Sequence, residues 1–264
     1  MSAPDLPTFP ASQQKSVAAI LRAAGCVFAE DEARLLLRTA RSLDELDAMV
    51  DRRVAGEPLE PVLGWVEFCG LRIHIDSGVF VPRRRTEFLA RQACSLVVSG
   101  SVVVDMCCGS GAVGTVLQST LDAVDLYAVD VEPAAVRCAR RNITPPERVL
   151  EGDLFEPLPT ELLGRVDVVV ANAPYVPTDS IRLMPPEARL HEPLVSLDGG
   201  TDGLDLQRRI TADAAPWLRP GGCLLVETST EQVEMTVETF TRGGFLTRVA
   251  TYSETASTVV IGQC

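Results

Sequence analysis

From about residue 84 onward the chain alternates between two periodicities, and no other feature constrains its fold as strongly. Short apolar runs, "SVVVDMC", "LYAVDV", "VDVVVAN" and "GCLLVET", have the length and branched side chains of buried strands. "RVLEGD", "FLTRVATYSE" and "STVVIGQ" read as further strands. Around them lie "RTEFLARQACSLVV", "AVGTVLQSTL", "AAVRCARRNI", "LDLQRRITADAAPWL" and "EQVEMTVETFTRGG", whose apolar residues recur at helical spacing. Strands that alternate with helices form a largely parallel sheet covered on both faces. Such sheets bind ligands beyond the carboxyl ends of their strands, at the topological switch point. The residues that follow each strand are therefore where chemistry is expected.

Upstream the pattern is different. Residues 11–55 read as helices, with Ser42 as an N-cap before Glu45. "GEPLEPVLG" breaks the helical period with two prolines, and "WVEFCGLRIHID" alternates around a Gly like a short hairpin. The expected organisation is a helical module over 1–62, a β-hairpin over 63–82 and an α/β domain over 83–264. A chain of 264 residues with 46% hydrophobic content can fill such a core. No apolar run reaches the ~18 residues of a membrane span, and "MSAPDLPTFPASQQK" lacks a basic-then-apolar leader pattern. A cytoplasmic protein is expected. Eight cysteines are scattered, with only His74 and His191 beside them, and no metal-ligand spacing appears. Reduced, mostly buried thiols and no metal are expected. A net charge of -12 argues against an undirected nucleic-acid binder and toward a basic partner.

Three strand ends carry candidate chemistry. The first runs into "DMCCGSGAVG", where Gly109 and Gly111 allow a tight turn and close approach of a ligand before a helix begins. The second ends in "AVDVEP", placing Asp130 nineteen residues after Gly111, where an acid can accept from both hydroxyls of a ribose. The plainer role for Asp130 is an N-cap, with Pro133 in the first helical turn. Together they indicate a nucleoside-containing cofactor. The letters G-x-G-x-x-G are met by Gly109 to Gly114, yet Asp105 and the late "GGCLLVE" suit an adenosylmethionine site better than a dinucleotide site. Asp153 in "EGDLFEPL" is a candidate acceptor for an adenine amino group, or an ordinary loop residue.

The third strand end is "VVVANAPYVP". Asn172 offers an acceptor and an NH2 donor, and residue 173 offers its carbonyl. Pro174 restricts Ala173 to extended geometry, and Tyr175 adds a flat face. These groups suit a planar NH2, whose hydrogens point at two oxygens while its plane lies on a ring. The delocalised lone pair of such a nitrogen is a poor nucleophile, which two acceptors and a fixed approach angle improve. The plainer reading is a turn that caps a strand.

These stretches together resemble the HemK/PrmC family of protein N(5)-glutamine methyltransferases. The family's N-P-P-Y is matched by Asn172-Ala173-Pro174-Tyr175, its D-x-G-T-G-S-G by "DMCCGSG", and its P-R-P-E-T-E by "PRRRTE". "GDLFEPLP" and "EPLVSLDGGTDGLDLQRRI" are also close to family segments, and the similarity spans nearly the whole chain. The resemblance implies a Rossmann-like, seven-stranded class I methyltransferase domain behind a helical domain and a hairpin. It implies S-adenosylmethionine as cofactor, and the glutamine of the Gly-Gly-Gln tripeptide of peptide-chain release factors as substrate. A monomer without direct nucleic-acid binding is expected. By position, Cys107, Cys108, Gly109, Ser110 and Gly111 would line the methionine part, Asp130 would hold the ribose, and Asp153 and Leu154 would flank the adenine. Asn172 and the Ala173 carbonyl would hold the substrate amide with Tyr175 packed on it. Other readings are methylation of another planar nitrogen, in adenine or a small-molecule amide, and a non-catalytic paralogue.

Four departures from the family pattern bear on these roles. Ala173 replaces a proline, so weaker rigidity is expected while its carbonyl survives. Cys107 and Cys108 replace Gly-Thr, which suggests that no positive φ is needed at 107. Arg84 and Arg85 replace a proline and an acid near the active-site mouth, in the only dense basic cluster. "SETASTVV" lacks the family's D-x-x-G-x-x-R.

Overall fold

A computed structural model describes residues 9–264. Residues 1–8, which open both the N-terminal module and the stretch read for a leader, lie outside the described residues. Four helices come first: α1 (Ala11–Ala23), α2 (Ala29–Thr39), α3 (Leu43–Val54) and α4 (Leu59–Leu63). They bury Leu21, Leu36, Leu46 and Met49 in a core of their own. Ser42 caps α3 by accepting from the Glu45 amide at 3.1 Å, while Glu45 reaches back to the Arg41 amide. The helical period breaks over residues 55–58, as the sequence suggests, but the two-proline stretch then forms the short helix α4. Pro58 precedes α4 and Pro61 falls within its first turn, where backbone N–H groups have no intrahelical partner to lose.

The hairpin pairs β1 (Trp65–Phe68) with β2 (Leu71–His74) in antiparallel register. Its turn residues Cys69 and Gly70 both have positive φ, as a two-residue turn matched to strand twist requires. Then follow α5 (Thr86–Cys94), β3 (Val102–Met106), α6 (Ala112–Thr120), β4 (Asp125–Asp130), α7 (Pro133–Ala139), β5 (Val149–Glu151) and β6 (Val166–Ala171). A connecting segment carries the short α8 (Pro186–His191). The chain closes with α9 (Asp205–Ala214), β7 (Leu218–Thr228), α10 (Val233–Arg242), β8 (Leu246–Tyr252) and β9 (Ser257–Gln263).

The seven strands lie in the order β5-β4-β3-β6-β7-β9-β8. The first five are mutually parallel, and β9 runs antiparallel between β7 and β8. Successive side chains of a strand face opposite sides. Val103 of β3 accordingly joins one core with Val168, Val170 and residues of α5, α6 and α7. Val102, Val104 and Met106 join the other, with Val169, Ile210 of α9 and Phe240 of α10. All five β3 residues are buried, which is why that strand reads as continuous apolar sequence broken only by Asp105. Each such Val or Leu contributes about 1.5–3 kcal/mol of transfer free energy. The chain leaves β3 toward β4 on one side, while β6 pairs with β3 on the other. The switch point therefore lies at the carboxyl ends of β3 and β6. Among the described residues, no helix is long and apolar enough to cross a membrane.

Candidate active site

A cavity of about 330 Å³ opens at that switch point. Asp105, Cys107, Cys108, Gly109 and Ser110 line it from the end of β3, Asp130 from β4, Asp153 and Leu154 from β5, and Asn172 and Pro174 from β6. The fold thus gathers most of the residues singled out in the sequence. Gly111 is not on the wall. It shapes the turn behind it, with φ +76, and a Cβ there would sit 2.8 Å from Ile143 Cδ1. Ala173 and Tyr175 line a smaller adjoining recess, whose wall shares Asn172, Pro174, Phe80 and Ser196 with the larger cavity.

The loop after β3 departs from its sequence reading at Cys107. This residue has φ +57, in the left-handed region that a side chain disfavours. The strain is set by the neighbours: the Cys108 amide donates to the Val129 carbonyl of β4, and the Gly111 amide to the Cys108 carbonyl. The backbone must reverse within one residue of the strand, and Cys107 occupies the reversal. Burial and the nearby Asp130 and Asp105 carboxylates push both thiols well above their ordinary pKa, so neither is a ready nucleophile.

Three acidic side chains line this part of the cavity. Asp105 is 2% exposed and accepts from the Gly114 amide at 2.8 Å. Burial outweighs that hydrogen bond and pushes its pKa up to about 8. Asp130 accepts from the Gly109 amide at 2.8 Å and the Glu132 amide at 2.9 Å. It ties the glycine loop to the start of α7 without being its N-cap, a position held by Glu132. Burial raises its pKa, and the two amides oppose that rise. Asp153 pairs with Arg209 of α9 at 2.6 Å.

At the end of β6, Asn172 donates its amide Nδ2 to Thr86 Oγ1 of α5 at 3.4 Å. The Tyr175 hydroxyl donates to Glu227 Oε1 of β7 at 3.2 Å, and its ring lies 5.4 Å below the Arg85 guanidinium. Arg85 Nε is 3.3 Å from the same Glu227 oxygen. The backbone of Tyr175 is fastened by the glycine-rich segment 198–204. Gln232 Nε2 donates to the carbonyls of Tyr175 and Asp202, both at 2.9 Å. Gly203 has φ +81, and a Cβ there would lie 2.3 Å from the Tyr175 carbonyl oxygen. This close approach requires glycine at 203 within "LDGGTDGLD".

The arginine cluster divides in space. Arg83 pairs with the buried Glu192 at 2.6 Å, which also accepts from the Val81 amide, while Arg84 is exposed. Arg85 meets the other departure from the family pattern, since Ser257 Oγ donates to its carbonyl at 3.0 Å. Several contributors carried no signal of their own in the sequence. Phe80 and Arg209 line the cavity. Asn142 links the hairpin to the loop by donating to the carbonyls of His74 and Ser110. Glu227 was detectable only as a lone acid inside the apolar run "CLLVET". Among the described residues no three His, Cys, Asp or Glu side chains gather into a metal-ligating group.

Comparison with known proteins agrees with this architecture. The Methyltransferase small domain family matches residues 70–184. A release factor glutamine methyltransferase of Geobacter sulfurreducens is 38% identical over 203 residues, covering 75% of this chain and 69% of that protein. A 4-amino-L-phenylalanine/4-methylamino-L-phenylalanine methyltransferase of Streptomyces pristinaespiralis is also 38% identical, over 70% of this chain and 65% of that protein. Among solved structures, a methyltransferase from Pyrococcus furiosus shares the fold at a TM-score of 0.56 and 16% identity, over 74% of this chain and 89% of that one. With sheet order, switch-point cavity and sequence identity in agreement, the chain belongs to the release factor glutamine methyltransferase family.

Proposed function

We propose that this protein is an S-adenosylmethionine-dependent methyltransferase acting on the side-chain amide nitrogen of a protein glutamine, the Gly-Gly-Gln glutamine of a release factor. One observation carries the reading. Asn172 stands on the wall shared by the large cavity and the smaller recess, with Ala173 and Tyr175 in the recess. A planar NH2 held there faces the cofactor cavity.

The residues present fit the cofactor. Asp130 presents acceptor oxygens to the cavity for two ribose hydroxyls, and Gly109 lets the backbone approach without a Cβ. Val131 and Leu154 offer apolar walls for a purine, beside the Asp153 carboxylate. When bound, S-adenosylmethionine supplies an electrophilic methyl group on a sulfonium. Asn172 Oδ1 and the Ala173 carbonyl accept the two amide hydrogens, which raises electron density on nitrogen and fixes its line of approach. The nitrogen so held would take the methyl group that the cofactor supplies as a neutral thioether departs, and its surplus proton would pass to solvent.

Residues 1–62 act as the partner-binding domain in this reading, and the rest of the chain divides at 63–82 and 83–264. Val27 and Phe28 are exposed apolar residues on this module. Arg53, itself 10% exposed, joins Glu32 of α2 at 2.7 Å to Glu187 of α8 at 2.9 Å, linking the module to the segment beside the site. The protein works as a cytoplasmic monomer without direct contact to nucleic acid, in keeping with its charge of -12.

A second reading has its own support. The relative from Streptomyces pristinaespiralis is named for an aromatic amine, whose planar NH2 meets the same geometric demand. The test is incubation with S-adenosylmethionine and either a release factor from the same organism or 4-amino-L-phenylalanine. Mass spectrometry showing one added methylene on the Gly-Gly-Gln glutamine supports the first reading. Methylation of the amine alone replaces it.

A further inference from the structure

An Asn side chain serves an amide substrate in only one of its two orientations. Its Oδ1 must face the reacting nitrogen, because the Nδ2 donor would confront the substrate's own N–H. In this protein Nδ2 is directed at Thr86 Oγ1, at 3.4 Å. Thr86 is 2% exposed, so its hydroxyl needs an acceptor for its own hydrogen within the protein. The neighbouring acceptor is Glu227. Of its two oxygens, Oε1 takes the Tyr175 hydroxyl and lies in ion-pair range of Arg85, while Oε2 is buried and has no hydrogen-bond partner. Helix α5, which begins at Thr86, packs against β7, which carries Glu227 near its end, and the adjacent Arg85 reaches Glu227 Oε1. One buried hydroxyl with a hydrogen to place and one buried oxygen with a vacant lone pair thus lie on two elements that pack together.

We propose that Thr86 and Glu227 are positioning residues: Thr86 accepts from Asn172 Nδ2, donates to Glu227 Oε2, and so holds Asn172 with Oδ1 toward the substrate nitrogen. The inference rests on the amide-site reading above. Each donor in the chain has one acceptor, and the order runs one way because a carboxylate only accepts. Arg85 anchors the far end. It supplies from the start of α5 the positive charge facing this buried acid, at a position where the family pattern carries an acid.

The experiment compares wild type, Thr86→Val, Thr86→Ser and Glu227→Gln on the substrate that wild type methylates. Valine keeps the volume of threonine and removes the hydroxyl, whereas serine keeps the hydroxyl. The expected result for Thr86→Val is a fall in kcat of at least about tenfold, since loss of orientation at a reacting atom costs that much or more. Its KM and its calorimetric affinity for S-adenosylmethionine should stay near wild type, and Thr86→Ser should recover most of the turnover. Glu227→Gln should also lower kcat, because its NH2 competes as a donor toward Thr86. Unchanged turnover in Thr86→Val overturns the proposal, as does equal loss in the Val and Ser variants. If Thr86→Val does not fold, full activity of Glu227→Gln overturns it. Wild type that methylates neither candidate substrate removes the amide-site reading itself, a result separate from any ratio between variants.

Discussion

Removal of the Asp130 carboxylate tests the cofactor site most directly. In the fold its oxygens accept from the Gly109 and Glu132 amides at 2.8 and 2.9 Å. Asp130→Ala therefore has two effects. It leaves two partly buried amides without partners, at roughly 1–3 kcal/mol each, which loosens the loop over residues 107–111. Under the proposed cofactor assignment it also removes the acceptors for two ribose hydroxyls. Hydrogen bonds to a charged acceptor contribute about 1.5–3 kcal/mol each, so about 3 kcal/mol or more of binding is lost. At 1.4 kcal/mol per tenfold, Kd for S-adenosylmethionine should rise at least about 100-fold. Isothermal titration calorimetry with S-adenosylmethionine and with its demethylated product measures this directly. Both ligands carry the ribose, so both should lose affinity to a similar extent. Asp130→Asn, which keeps one acceptor oxygen, should fall between wild type and Ala. A folded Ala variant that binds within about threefold of wild type would falsify the ribose assignment, because no rearrangement of the loop restores two anionic acceptors.

Three further outcomes are expected. Asn172→Ala should lower turnover by roughly 10²–10³ while calorimetry still shows cofactor binding, and unchanged turnover would remove Asn172 from the reaction. Asp105 ionises near 3.8 in an unfolded chain and at about 8 in the fold, so the native state binds more protons between those values and stability falls as pH rises through them. Asp105→Asn should flatten that decline in thermal melts of the ligand-free protein, and an unaltered slope would contradict the burial of the carboxyl. Gly203→Ala places a Cβ against the Tyr175 carbonyl and forces a left-handed residue. A loss of about 2–5 kcal/mol in chemical denaturation is expected, and a wild-type midpoint would mean that the loop moves aside at little cost.

Much of the site was legible because it is local. Asp105, Gly109, Asp130, Asp153 and Asn172 each lie within a few residues of a strand's carboxyl end, and in a parallel sheet the ends of consecutive strands share one rim. Their convergence on one cavity follows from periodicity and strand order, without any knowledge of side-chain contacts. Cys107 was misread because a side chain at that position argues against positive φ, whereas the hydrogen bond from Cys108 to β4 dictates the reversal. The short helix α4 was missed because two prolines resemble a break, although both occupy places where a helix can accept them.

By itself the sequence determined the α/β class, the glycine loop, the candidate ribose acid and the candidate amide-binding tetrad, since each is encoded within about ten residues of chain. Only the tertiary structure decided what surrounds them. Thr86 meets Asn172 across 86 positions, and Tyr175 meets Glu227 across 52. Arg85 meets Ser257 across 172. No local pattern specifies such partners. They are chosen by which strands pair and where α5 crosses the sheet, and burial then makes each unpaired polar atom costly enough to define the arrangement.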